Sequence, residues 1–290
     1  MLAHAPLPSA LRRGCDMAAA LEHEGYLVLG GPDELLLQID DLWRAGEAFF
    51  ALPEEHKLRN TLAEYDGYHD IGKEYSDRPE RPDLAESFWA RLIHAGATPR
   101  FVDAEARRTH KAALDVCRGL EALLTPITEA LARHYAERWS PSFAFACDRA
   151  SHLQFNRYQP QRHGRDLLTD AHEDGLYLTL LFADAPGLEV LTPGGRWRPV
   201  QPRRGELIAM PGEIFSLLCG YRVQPLVHRV RRHPEVPRRL AMMYFANPNP
   251  AADFPPWIAN ATNAGVDIIA RAALNPTRYG LPPLPGVAIG

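Results

Sequence analysis

The chain has 290 residues, is 46% hydrophobic and carries a formal net charge of −4, enough apolar material for a sizeable core in one large or two small domains. No basic stripe dominates, which argues against a nucleic-acid partner. No apolar run reaches the ~18 residues that span a bilayer. The first residues lack an apolar stretch behind a basic start, so a secretory signal is not expected and the cytoplasm is the expected location. The four cysteines, Cys15, Cys117, Cys147 and Cys219, form no CxxC pair, which points to free thiols rather than a zinc knuckle or disulfide framework.

The first half reads as mainly helical. A helix ends over 18–23 before Gly25, and 26–29 is a short apolar strand. Pro32 and Asp33 open a helix with Leu36, Ile39, Trp43 and Phe50 on one face. Pro53 opens a short third helix. The longest periodic segment, 103–139, puts Leu114, Cys117, Leu120, Leu124, Ile127 and Leu131 on one face. Pro126 should kink or break it.

After about residue 148 the pattern becomes strand-like. The expected strands are 152–158, 177–182, 188–191, 197–201, 207–210, 214–218, 227–230 and 240–246, separated by turns in a chain with 26 Pro and 21 Gly. Short strands at this spacing suggest a sandwich or jelly roll. From Asn247 onward a Pro- and Gly-punctuated tail is expected to wrap the barrel.

Within Thr169-Asp-Ala-His-Glu-Asp-Gly175, His172 and Asp174 stand at i and i+2, a spacing that puts two side chains on one face of a strand. His228, after several further strands, can return beside them. Two His and one carboxylate on one side of a metal leave the opposite positions open, the ligand set of non-haem Fe(II) oxygenases.

The neighbouring motifs resemble the isopenicillin N synthase-like family. His172-Glu-Asp-Gly-Leu-Tyr-Leu-Thr-Leu-Leu181 is similar to its His-Thr-Asp run into Leu-Thr-Leu-Leu, and Gly187-Leu-Glu-Val190, Gly195-Arg-Trp-Arg-Pro-Val200 and Pro211-Gly-Glu213 follow. Gly220, His228-Arg-Val230, Arg239-Leu-Ala-Met-Met-Tyr-Phe245 and Asn247-Pro248 continue the pattern, and Asn156-Arg-Tyr158 resembles the Asn-x-Tyr upstream. In the N-terminal half, Gly25-Tyr26, Phe49-Phe-Ala-Leu-Pro-Glu-Glu-His-Lys57, Gly67-Tyr68, Gly72, Glu74, Asp83, Glu86 and Phe88 match in order.

The resemblance implies a mainly β protein with flanking helices, built on a double-stranded β-helix (a cupin-like jelly roll). It implies an N-terminal helical or lid region over 1–110, a backbone helix over 111–147, the Fe(II)/2-oxoglutarate core over 148–250 and a C-terminal wrapping segment over 251–290. It makes His172, Asp174 and His228 the ligands of Fe(II), with 2-oxoglutarate and O2 as co-substrates and ascorbate as a reductant. Arg239, whose planar fork suits a carboxylate, would hold the distal end of the keto acid, with Arg238 as the alternative and Asn156 and Tyr158 nearby. Ala241 stands where the family has Ser, which removes one hydroxyl donor worth about 1 kcal/mol. Gly175 sits one place early and Pro225 replaces a common Ser.

The reaction so implied is oxidation of an aliphatic C–H of a small molecule, by hydroxylation, desaturation, cyclisation or demethylation, with release of succinate and CO2, in specialised biosynthesis. Asp174 speaks against halogenation, because related halogenases keep a small residue there. The substrate-lining candidates are Tyr68, Phe88, Arg91, Gln154 and Tyr177; an inward Arg91 would favour an acidic or amino-acid substrate. His152, His163 and His233 are read as structural or surface residues. A monomer or small homo-oligomer with no nucleic-acid or membrane partner is expected. The competing readings are an oxidase of the same fold that needs no 2-oxoglutarate, and a non-catalytic binding protein.

Overall fold

The computed structural model describes residues 14–62, 66–92, 101–136, 151–159, 164–247, 256–258 and 270. Helix α1 (Gly14–Glu24) and strand β1 (Leu27–Gly30) lead into α2 (Asp33–Phe50) and the short α3 (Glu54–Leu58). Strands β2 (Gly67–His69) and β3 (Ala85–Arg91) precede the long α4 (Ala104–Tyr135). The barrel strands are β4 (His152–Tyr158), β5 (Leu167–His172), β6 (Leu178–Ala183), β7 (Leu188–Leu191), β8 (Trp197–Pro199) and β9 (Glu206–Pro211). Helix α5 (Glu213–Leu218), β10 (His228–Arg231) and β11 (Arg239–Ala246) complete the described elements.

Two antiparallel sheets face each other. The larger has the order β1-β9-β6-β11-β4-β3-β2 and the smaller β5-β10-β7-β8. This is the jelly roll expected from the sequence. The large sheet carries apolar residues on both faces. Its outer face, with Phe88, Leu153, Phe155, Leu180, Met242 and Tyr244, packs on α4 and α2 in the main core. Its inner face, with Tyr158, Leu181, Ile208, Ala241 and Met243, meets Leu168, Val190 and Val230 of the small sheet.

Helix α4 buries the face expected of it: Leu114, Cys117, Leu120, Leu124, Ile127 and Leu131 are all inside. Pro126 lies within the helix without ending it. The carbonyl it leaves unbonded belongs to Ala122, on the exposed side where water can serve it.

Three strands differ from expectation in being present (β2, β3 and β5), and one in being absent. Residues 214–218 form α5, not a strand. A five-residue run, apolar but for Ser216 and buried throughout, carries no period that separates the two states. Gly212 decides the local geometry: a Cβ there would lie 2.1 Å from the Leu176 carbonyl oxygen. That close approach lets Gly212 N donate to Tyr177 O and Glu213 N to Asp174 O, so the chain turns into a helix. The expected C-terminal wrap lies almost wholly outside the described residues. Among the described residues no helix is long and apolar enough to cross a membrane.

Candidate metal centre

Strand pairing brings the three ligand candidates together. β5 ends on His172, β10 begins on His228, and these two residues are direct antiparallel partners. Their ring centroids are 4.3 Å apart. Asp174 follows in the turn toward β6, with its Oδ1 3.7 Å from His172 Nε2 and 3.9 Å from His228 Nε2. One ligand atom from each residue lies within 4.8 Å of the others, so the set could hold a metal ion.

The surrounding groups fix each ligand. His172 Nδ1 donates to the Asp170 carbonyl at 2.8 Å and His228 Nδ1 to the Leu226 carbonyl at 3.0 Å. A carbonyl can only accept, so both rings carry their proton on Nδ1 and turn a bare Nε2 to the centre. Thr179 Oγ1 donates to Asp174 Oδ2, which leaves Oδ1 for the ion. Burial, with His228 beside it, pushes the His172 pKa down to about 4; the ring stays neutral, the form that binds metal. Asp170 is itself held in a fork by Arg81, Nε at 2.6 Å and the second nitrogen at 2.9 Å. Two imidazoles and a carboxylate on one side suit Fe(II) with open positions opposite.

Arg239 opens β11 opposite Tyr158 of β4. Only 1% of it is exposed. Its Nε donates to the Ala185 carbonyl at 3.3 Å, but both terminal nitrogens lack a hydrogen-bond partner among the described residues. The Tyr158 ring lies 5.1 Å from its Cζ, and the Tyr158 hydroxyl is 3.4 Å from both Asn156 Nδ2 and Thr169 Oγ1. Burial lowers the pKa of the guanidinium. A buried cation with two idle donors is costly, and a planar anion would satisfy it. Arg238 is engaged elsewhere, with Glu47 at 2.6 Å and Asp184 at 3.3 Å. Ala241, fully buried, sits beside Asn156 and Ala183.

The substrate candidates divide by face. Gln154 and Arg91 are on the inner face with Asn156 and Tyr158, two residues apart along their strands. Tyr68, Phe88 and Tyr177 are not. Tyr68 is buried against Phe49 and donates to Glu86, Phe88 packs on Phe49 and Phe101, and the Tyr177 hydroxyl donates to Thr128 of α4. All three belong to the helix-side core and not to the inner face. The inner face also carries residues the sequence did not single out: His69, Trp89 and Phe245. These stack in a row with His152, at 4.8 Å between successive centroids. His152 is thus a buried wall residue, His233 is exposed, and His163 lies outside the described residues. Inward parity on β3, counted from Arg91, would have pointed to Trp89.

The sequence profile of the 2OG-Fe(II) oxygenase superfamily matches residues 150–248, the stretch that holds the triad and Arg239. Over that stretch the chain is similar to the 2OG-Fe(II) oxygenase superfamily. Among its relatives, gibberellin 20 oxidase 1 of Oryza sativa subsp. japonica is 28% identical over 252 residues, 79% of this chain and 65% of that protein. The 2-oxoglutarate-dependent dioxygenase iboH of Amanita muscaria is 37% identical over 89 residues, 29% of this chain and 43% of its own length. The chain thus spans less than two thirds of either relative. A full-length Neurospora crassa protein, solved in complex with alpha-KG, superposes with a TM-score of 0.74 at 21% identity and 91% coverage of both chains. The rice dioxygenase for auxin oxidation gives 0.70 at 20% identity, covering 96% of this chain and 94% of its own. These two show that the chain shares their fold.

Proposed function

We propose that this protein is an Fe(II)- and 2-oxoglutarate-dependent dioxygenase that oxidises an aliphatic C–H of a small molecule and releases succinate and CO2. The observation that carries the reading is Arg239, a buried guanidinium with two unsatisfied donors on the inner face of the barrel that also holds the His172–Asp174–His228 set. When bound, iron would activate O2, the oxidant, with the two electrons given up by the keto acid in its oxidative decarboxylation.

The chain's own residues bind and orient. His172, Asp174 and His228 would hold the ion from one side. Arg239 would take the distal carboxylate of 2-oxoglutarate in a two-point grip, with Tyr158 and Asn156 beside it. The apolar residues shared between the two inner faces, among them Leu168, Leu181, Val190 and Val230, would shield these groups from water. Asp174 occupies the position a halide would need, which argues against halogenation. The 2-oxoglutarate dependence of the Amanita relative and the alpha-KG in the crystals of the Neurospora protein support the same reading.

The test is Fe(II)-dependent conversion of 2-oxoglutarate to succinate, followed by NMR in the purified protein without added substrate. Succinate formation that disappears in Arg239→Met is expected. O2 uptake with no succinate would favour the oxidase reading, to which the missing hydroxyl at Ala241 gives some weight. Neither product nor O2 uptake would favour a binding protein.

A further inference from the structure

A carboxylate is built into the inner wall on the side away from Arg239. Glu74 hangs from the segment 70–84 that joins β2 to β3. Its Oε1 accepts from Trp89 Nε1 at 2.9 Å and from Ser87 Oγ, and its Oε2 accepts from Gln154 Nε2. His69 Nδ1 is 3.7 Å away. Its hydrogen-bond donors among the described residues are therefore a hydroxyl, an indole and an amide, with no lysine or arginine. Burial pushes its pKa up to about 7. Yet 26% of its side-chain surface is still exposed, so a fourth donor can reach it. A carboxylate offers about four acceptor positions, and three are filled.

Its location relative to the metal candidates follows from the register. Thr179, which holds Asp174, pairs with Phe245, and Phe245 pairs with His152. The ring row then runs from Phe245 through His152 and Trp89 to His69. Gln154 and Trp89 are direct partners on β4 and β3. Strands lie ~4.8 Å apart, so Gln154 is two strands, roughly 10 Å, across the sheet from Thr179. That is the span of a small molecule with one end at the metal ligands and the other at Glu74. Gln154 is held by Glu74 and Trp89 by both Glu74 and the ring row, which fixes the carboxylate before any ligand arrives.

We propose that Glu74 is the polar anchor of the substrate site and that it receives a nitrogen-borne N–H of a small molecule lying along the Phe245–His152–Trp89 row. The substrate class is accordingly an amine, an amino acid included because Arg91 is also inward beside Trp89, or an N–H-bearing ring compound. The inference rests on the barrel interior being the substrate site of the proposed function.

Two matched probe pairs test it by calorimetric titration of the full chain, with and without Zn(II) and 2-oxoglutarate. 2-Phenylethylamine against 2-phenylethanol reads an ammonium, and indole against benzofuran reads a neutral ring N–H. In at least one pair the nitrogen compound should bind about tenfold tighter, and Glu74→Gln should bring that ratio to within about twofold. Glu74→Asp, which keeps the charge but draws it back by one methylene, should give an intermediate ratio and covers the case in which the amide variant fails to fold. No preference in either pair, or a preference that survives both substitutions, overturns the assignment. Zn(II) and 2-oxoglutarate isotherms are separate readouts that Glu74→Gln should leave unchanged. Their absence in the unaltered protein would count against the proposed function, while the probe pairs would still judge Glu74.

Discussion

Replacing Arg239 by Met should raise the stability of the ligand-free protein and remove its response to 2-oxoglutarate. Arg239 is 1% exposed with both terminal nitrogens unpaired. Burying such a charge costs several kcal/mol. Against this stand the Tyr158 ring at 5.1 Å, worth about 0.5–2 kcal/mol, and one long bond to Ala185 O at 3.3 Å, worth about 1 kcal/mol. Met has a similar length and no charge, so the variant should gain about 1–3 kcal/mol. At about 2 °C per kcal/mol for a chain of this size, the melting temperature rises by about 2–6 °C. With 2-oxoglutarate at 100 times its Kd, the unaltered protein gains about 2.7 kcal/mol. Loss of a two-point, charge-assisted contact worth about 3–5 kcal/mol weakens binding in the variant at least about 100-fold. The assay is differential scanning fluorimetry with Zn(II), with and without 2-oxoglutarate. The two proteins should shift by different amounts, with only the unaltered one responding to ligand. Equal ligand shifts, or a variant destabilised in the absence of ligand, would refute the reasoning.

Thr179→Val removes the donor to Asp174 Oδ2 at nearly constant volume; metal affinity, read by competition with a chromogenic chelator, should fall about 10- to 100-fold. Gly46→Ala places a Cβ 2.1 Å from Phe155 Cε1, in a ring already packed between Trp43 and Phe50; urea unfolding should show a loss of about 1–3 kcal/mol. For Glu74 the folded pKa, about 7, lies above its ordinary 4.5. The folded state therefore holds the proton longer, and stability falls as pH rises from about 4.5 to about 7. Glu74→Gln should flatten that part of the stability–pH curve; an unchanged slope would mean the carboxyl is not desolvated.

Much of the site was legible because ligand chemistry forces unusual residue types into fixed spacing. A buried His-x-Asp and a distant His followed by Arg-Val have few other uses, and Arg239 stands out as a charge at the head of an apolar strand. The pocket wall was not legible, for a reason visible in β3. Glu86-Ser87-Phe88-Trp89 puts an acidic or polar residue and an aromatic residue on each face. Glu86 faces the helix side, where Lys57, Arg157 and Tyr68 neutralise it. Alternation therefore fails as a guide, and a one-residue error in parity exchanges Phe88 for Trp89. Tyr177 failed in the same way, in a run apolar on both sides. β5 was hidden by Thr169 and Asp170, buried polar residues whose partners, Tyr158 and Arg81, lie on other strands or loops. Such pairings are long-range, and local pattern does not report them.

The same long-range pairings explain why the N-terminal half belongs to the site. β5, which carries His172, is an edge strand bonded to β10 alone within its sheet. Its free side is closed by the segment 70–84: Leu84 N donates to Leu168 O at 2.7 Å, Arg165 to Pro82 O, and Arg81 clamps the Asp170 carboxylate. Asp170 also accepts from His172 through its carbonyl, so the clamp reaches the metal ligand through one residue. The other end of the segment delivers Glu74 to the inner wall, tied by Asp83 N donating to Glu74 O at 2.8 Å. One short stretch of chain thus supports both the strand that ends at the metal candidates and the carboxylate assigned to substrate. Exposed strand edges are an association hazard, and here the cover that removes the hazard also sets the distance between the two halves of the site.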